Sequence, residues 1–383
     1  MTPLAVARER SDSLHARIAA VIRRSVREGL WALPEHEFDA LAKALFEHQF
    51  LSCAPYRAFC EGRGVNPSSL RSADDIPPVP TEVFKSVDLF AFPADDAGIT
   101  FLTSGTRFGG RGRHHLRDDR TYEASMGPWM DRLLLAAEGP GERQIWVLAP
   151  PASVAPDSSL SHMLQWGHDH RGGPGSRFFW THEGPDLTGL RAALDLVEPT
   201  DPPVVLLSTA RALQAVLEAP GGSWQLPSGS VVMETGGPKR SGMVFERATF
   251  HQELSDALGV PGSAVVSEYG MTELGSQGYS PSLLASVDAT AATRWPEPSV
   301  DLHVFPPWCR VRALSTDDLS ILPPGERGLL CFWDLANVDS VLCVLTADEG
   351  SVTEHGVRLF GRSEAATPRG CSLAVEELLG AGS

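Results

Sequence analysis

The chain has 383 residues, 42% of them hydrophobic and 21% charged, a composition suited to a globular protein of one large domain or two. Its formal net charge of −16 argues against general nucleic-acid binding, because a phosphate backbone would be repelled. No apolar run approaches the roughly 20 residues that span a bilayer, so no membrane span is expected.

The first dozen residues include Arg8, Glu9, Arg10 and Asp12, which breaks up the apolar stretch a secretory signal needs. Leu4, Ala7, Leu14, Ile18, Val21, Ile22 and Val26 fall near a 3.6-residue period, predicting a helix over 4–30. A second helix is predicted over 36–50, with Phe38, Leu41, Leu45 and Phe46 on one side. The run Ile76-Pro77-Pro78-Val79-Pro80 ends the helical pattern. Next comes a short strand, Ile99–Thr103, feeding the turn Thr103-Ser104-Gly105-Thr106.

From there the pattern alternates as in an α/β layer fold. Strands are predicted at Gln144–Ala149, Pro203–Ser208, Ser230–Glu234 and Ser263–Ser267, with helices at Ala210–Leu217 and Val244–Leu258. Gly167–Gly175 reads as an exposed loop. Beyond residue 298 the strands become short and frequent: 300–304, 309–314, 328–333, 340–345 and 357–360. They predict a smaller β-rich subdomain. The six cysteines, at 53, 60, 309, 331, 343 and 371, contain no Cys-x-x-Cys pair, so a reducing cytoplasm is the expected location.

Three glycine-bearing turns follow predicted strands. Thr103–Thr106, continued by Gly109, Gly110 and Gly112, can wrap a phosphate with backbone N–H groups. Arg107, Arg111, Arg113, Arg117 and Arg120 cluster nearby and would supply countercharge to an anion such as ATP. The turn lacks a Gly-Lys-Ser/Thr ending, so it is not a Walker A loop; a solvated surface loop is the alternative. Glu234-Thr235-Gly236-Gly237 could lay backbone against a planar base or be a plain turn. Tyr269-Gly270-Met271-Thr272-Glu273 offers a ring to stack on a base, a hydroxyl for a phosphate and a carboxylate for a divalent cation. Its alternative is a turn in which Thr272 and Glu273 only cap a helix. Together the turns point to an ATP-consuming enzyme that activates a carboxylate. His162, His168 and His170 match no zinc spacing; His162 is a better candidate for a substrate pocket, together with Trp166.

In their order, Thr103–Thr106, Glu234–Gly237, Tyr269–Glu273, Asp348 and Gly361-Arg362 resemble the core motifs of adenylate-forming enzymes. Pro80-Thr81-Glu82-Val83-Phe84-Lys85 and Arg369-Gly370-Cys371-Ser372-Leu373 narrow the resemblance to the acyl-protein synthetase branch, the fatty-acid-activating component of bacterial bioluminescence systems. The resemblance covers roughly residues 75–380. It implies an α/β, layered fold similar to the N-terminal domain of adenylate-forming enzymes. A smaller β-rich subdomain and a truncated C-terminal mobile domain would complete it. The expected division is 1–75, an N-terminal helical segment; 76–298, the α/β adenylation core; 299–362, the β-rich subdomain; and 363–383, a short tail carrying Cys371.

The resemblance also implies roles. Ser104, Gly105 and Thr106 would embrace the ATP phosphates, with Thr103 beside them and Arg111 or Arg113 in place of the usual basic residue. Gly236 and Tyr269 would flank the adenine, next to Gly237, Gly270 and Met271. Thr272 would bond the α-phosphate and Glu273 would hold Mg²⁺. Asp348 would accept the ribose hydroxyls, Arg362 would lie close to the nucleotide, and Cys371 would receive the acyl group. The only lysines are Lys43, Lys85 and Lys239, and the chain ends at Ser383, soon after Arg362. A tail with a cysteine and no lysine suits self-acylation, followed by delivery to a partner such as an acyl reductase. Two alternatives are a ligase that passes the acyl group to an acyl carrier protein or coenzyme A, and a non-catalytic nucleotide-binding protein.

Overall fold

Apolar residues repeat four apart at Leu14, Ile18 and Ile22, and a computed structural model of the chain buries all three on one face of a helix, Pro3–Arg27. The structure describes residues 3–104, 110–136, 143–218, 222–237, 246–296 and 298–363. They divide into two compact units. The first comprises the described residues within 1–126, 271–277 and 305–363, and the second those within 127–270 and 278–304.

In the first unit the second helix is Glu35–Ser52, burying Phe38, Leu41, Leu45 and Phe46 as its periodicity predicts. A third, Ala54–Gly62, was not foreseen: it is too short to show a period, yet it buries Tyr56, Phe59 and Cys60. Four antiparallel strands lie in the order Gly356–Arg362, Cys343–Thr353, Arg327–Asp334 and Cys309–Leu314. Val79–Pro80 pairs in parallel with Cys343–Thr353. A hairpin of Ile99–Leu102 and Arg113–Leu116 brackets the first glycine-bearing turn. Gln49 ties the helices to the loop after the third sheet strand, donating to the Asn337 carbonyl (2.8 Å) and accepting from the Leu342 N–H (3.0 Å).

The second unit carries the predicted α/β layer. Its parallel strands run Val265–Tyr269, Val231–Thr235, Val204–Thr209, Gln144–Leu148 and Arg177–Phe178, with Gly278–Tyr279 antiparallel at the edge. The apolar runs of three of them, Val231–Thr235, Val204–Thr209 and Gln144–Leu148, are buried on both faces, as covered parallel strands require. Helices Ala210–Glu218 and Arg247–Leu258 stand close to their predicted positions. One reading is corrected. Residues 167–171 are not loop but the end of a helix, Ser159–Arg171, started by the Ser158 hydroxyl accepting from the Ser161 N–H at 3.1 Å. Its polar histidines concealed it. The five described cysteines are buried and free. None of the described helices is long and apolar enough to cross a membrane.

Candidate active site

The segment Met271–Gln277 is held in the first unit almost entirely by side chains from elsewhere in that unit. The Asp334 carboxylate accepts from the Gly275 N–H (2.9 Å), the Ser276 hydroxyl (2.8 Å) and the Ala336 N–H (3.0 Å). Burial nevertheless pushes its pKa up to about 6. Asn337 donates through Nδ2 to the carbonyls of Glu273 (2.9 Å) and Val341 (2.8 Å). Those two bonds fix the amide, so Oδ1 faces His114 Nε2 at 2.8 Å. His114 donates through Nδ1 to the Thr272 carbonyl at 2.6 Å. Burial lowers the His114 pKa, opposed by the two acceptors at its ring nitrogens. Gly275 is closely packed: a Cβ there would lie 3.1 Å from the Ala336 Cβ and 3.2 Å from its carbonyl carbon, so alanine would crowd this backbone.

His114 lies opposite Phe101 in the hairpin that leads into Thr103 and Ser104. Residues 104 and 273 therefore share one unit, in which the His114 imidazole joins the hairpin to the backbone at Thr272. The neck of the turn is closed by Thr103 N–H to the Gly112 carbonyl (2.9 Å) and Gly112 N–H to the Thr103 hydroxyl (2.7 Å). Arg111 reinforces it, donating to the carbonyls of Thr103 (2.8 Å) and Leu102 (3.2 Å). Ser104 is exposed; Gly105 and Thr106 lie outside the described residues, as does Cys371.

The Glu273 side chain is buried, and burial pushes its pKa up to about 7; Glu82 raises it further, whereas Arg362 and Lys85 oppose the rise. Asp348 and Arg362 are opposite each other on neighbouring strands, with Oδ1 and Nε 3.6 Å apart.

The second unit holds the other candidates. Gly236, at φ +72°, ends its strand in the left-handed region, and a Cβ at Gly236 or Gly237 would meet nothing within 4 Å. The Thr235 hydroxyl donates to Glu268 in the adjacent strand, whose pKa burial raises to about 7. Tyr269 follows, its ring edge-on to His303 at 6.2 Å. Glu234 faces His251 (3.2 Å) and Arg247 (3.3 Å) on the opposite face of its strand. His162 and Trp166 sit on the helix Ser159–Arg171, where Trp166 stacks on His170 (4.8 Å) and lies under the Arg171 guanidinium (4.7 Å). His168 pairs with Asp169 at 2.7 Å, so the three histidines are not gathered on one ligand.

Sequence reading missed His114, Asp334 and Asn337. No spacing announces them, since they act from strands and loops far along the chain.

Comparison with known proteins agrees with this architecture. Residues 206–380 match the family described as Acyl-protein synthetase, LuxE. The chain is 22% identical, over 91% of its length and 90% of the relative's, to the long-chain-fatty-acid–luciferin-component ligase of Vibrio harveyi. It superposes with a TM-score of 0.59 on an open conformation of 2-hydroxyisobutyryl-CoA ligase, solved with 2-HIB-AMP and CoA. That match is 16% identical and covers 88% of this chain and 78% of the ligase. Against ATP-bound MatB from Rhodopseudomonas palustris (19% identity, TM-score 0.47) it covers 70% of itself and spans about half of MatB, 48%. The superposition on 2-hydroxyisobutyryl-CoA ligase shows the fold, a mixed α/β layout shared with that adenylate-forming ligase. In sequence the chain is similar to the acyl-protein synthetases over residues 206–380 and to the luciferin-component ligase over most of its length.

Proposed function

We propose that the enzyme joins a long-chain fatty acid to ATP as an acyl-adenylate and then transfers the acyl group to a cysteine thiol. The observation that carries this reading is the His114–Asn337 clamp, which sets Thr272 and Glu273 beside the hairpin that enters the Thr103–Gly112 turn. The substrate class follows the printed name of the Vibrio harveyi relative.

In this reading Ser104, Gly105 and Thr106 wrap the phosphates, while Thr103 and Arg111 keep the turn closed. Gly236, Gly237, Tyr269, Gly270 and Met271 receive the adenine, Asp348 the ribose, and Arg362 lies close by. His162 and Trp166 contribute to the acid pocket. A carboxylate oxygen forms a bond to the α-phosphorus, the bond to the bridging oxygen breaks, and pyrophosphate leaves with the electron pair. Thr272 donates to the α-phosphate oxygens, where charge builds up. Glu273 fits as the holder of Mg²⁺: a buried carboxyl with a pKa near 7 is kept ionised by an adjacent cation. When bound, that ion would offset charge on the phosphates. A thiolate then attacks the acyl carbon and AMP departs. We assign the thiol to Cys371, in a cytoplasmic enzyme that hands its acyl group to a partner such as an acyl reductase.

The test uses the full chain with ATP, Mg²⁺ and a series of fatty acids, reading ATP–pyrophosphate exchange and intact mass. Exchange with long-chain acids, and a thioester mass gain absent from Cys371→Ala, are expected. If no acid supports exchange, the adenylation reading fails. A mass gain that survives in Cys371→Ala moves the acceptor elsewhere, as would transfer by that variant to an acyl carrier protein or coenzyme A.

A further inference from the structure

The cluster of arginines around the first glycine-bearing turn looks, in sequence, like the source of countercharge for a phosphate tail. In the structure its described members already have acceptors. Arg111 is turned onto backbone carbonyls. Arg113 faces Asp88 (2.6 Å), Arg117 faces Asp12 (2.7 Å) and Asp339 (3.7 Å), and Arg120 faces Asp118 (2.6 Å). A guanidinium within 3 Å of a carboxylate has its charge largely offset.

Lys85 is different. It ends the short helical turn Thr81–Lys85, anchored by buried Val83 and Phe84. The Phe84 ring stands edge-on to the His114 ring at 6.1 Å, and its Cβ would lie 3.5 Å from a Cβ at Gly112. The Lys85 carbonyl would lie 3.8 Å from a Cβ at Gly110. The lysine is therefore placed where the turn returns to its hairpin, next to the imidazole that holds Thr272. Its side chain is exposed and forms no hydrogen bond or ion pair among the described residues. It also lies close enough to Glu273 to act on that carboxyl electrostatically, as Arg362 does, but Arg362 already faces Asp348.

We propose that Lys85 binds the phosphate tail of the nucleotide and takes up the charge of the departing pyrophosphate, an inference that rests on the adenylation reading above. An ammonium is a compact point charge with three donors, suited to oxygens whose direction changes as a bond breaks. Gly110 and Gly112 beside it leave backbone room for the same phosphate. In the step itself no proton moves. The new bond joins the carboxylate oxygen to the α-phosphorus, the broken bond releases pyrophosphate with its electron pair, and the Lys85 N–H groups meet the added charge.

The experiment is acid-dependent ATP–pyrophosphate exchange by the full chain, comparing wild type, Lys85→Ala and Lys85→Arg, with thermal unfolding as the fold control. Lys85→Ala should lower kcat/KM for pyrophosphate by roughly 10- to 100-fold. The KM for the fatty acid should stay unchanged, Lys85→Arg should recover part of the loss, and the melting temperature should not move, because the side chain is exposed. Wild-type exchange by Lys85→Ala, or a loss confined to the KM for the acid, overturns the assignment. If wild type exchanges with no acid at all, the adenylation reading falls first and this inference with it.

Discussion

Glu268 and Glu273 stand five positions apart, both buried, and burial raises both to a pKa of about 7. Their surroundings differ. Glu268, in the second unit, is answered by the Thr235 hydroxyl and has Glu234 as its charged neighbour. Glu273, in the first unit, has Glu82, Lys85 and Arg362 acting on it, and its own carbonyl is held by Asn337. Burial alone therefore does not distinguish the two carboxyls; the neighbouring charges and the Asn337 bond to the Glu273 backbone do, and they are why Glu273 is the one proposed to receive a cation.

The largest expected effect comes from replacing Glu273. Glu273→Gln should lower acid-dependent ATP–pyrophosphate exchange by about 100-fold or more, as loss of a preorganised charge in a reacting site does. Glu268→Gln should change it by less than about threefold, since a neutral amide can stand in for a carboxyl already matched to a hydroxyl. Comparable losses in the two variants would erase the distinction between the two carboxyls.

Next in size is the clamp. Asn337→Ala strands the Glu273 and Val341 carbonyls in a buried loop and should cost about 3 kcal/mol by chemical denaturation. A cost below about 0.5 kcal/mol would show that the Glu273 backbone holds its place without this amide.

The shared pKa of about 7 predicts a dependence of stability on pH. A carboxyl whose folded-state pKa lies above its unfolded value of 4.5 holds its proton more tightly when folded. Its stabilising contribution is therefore full below pH 4.5 and is lost as pH rises through 7. For Glu268, Glu268→Gln should remove a decline of about 2 to 3 kcal/mol over that window. Parallel stability–pH curves for variant and wild type would contradict the burial of Glu268.

The smallest effect belongs to the open turn at the end of the Glu234 strand. Gly236→Ala meets no steric obstacle but forces alanine to φ +72°, which should cost about 1 kcal/mol. Gly275→Ala in the clamped segment should cost more, about 1 to 3 kcal/mol, because its Cβ approaches Ala336 at 3.1 Å. A reversed order would show the clamp to be the looser of the two regions.

Much of the layer architecture could be read from local pattern. The apolar runs at 204–209, 231–235 and 265–269 became parallel strands because only a strand covered on both faces tolerates such continuity. The helices at 3–27 and 35–52 followed their period. The helix at 159–171 did not, because its histidines and glycine mask the apolar face formed by Met163 and Leu164. Residue chemistry in the glycine-bearing turns also pointed to a nucleotide and an activated acid.

What only the tertiary structure decided was which charges are available and what holds the Met271–Gln277 segment in place. Sequence offered a crowd of arginines near the first glycine-bearing turn and hardly any lysine; folding matched Arg111, Arg113, Arg117 and Arg120 with carboxylates and carbonyls and left Lys85 without a partner among the described residues. His114, Asp334 and Asn337 gained their meaning from bonds to the Met271–Gln277 segment and to each other across 58 to 223 positions of chain. Local pattern reports the propensity of neighbours along the backbone, whereas hydrogen bonds between distant strands and loops exist only once the chain has packed.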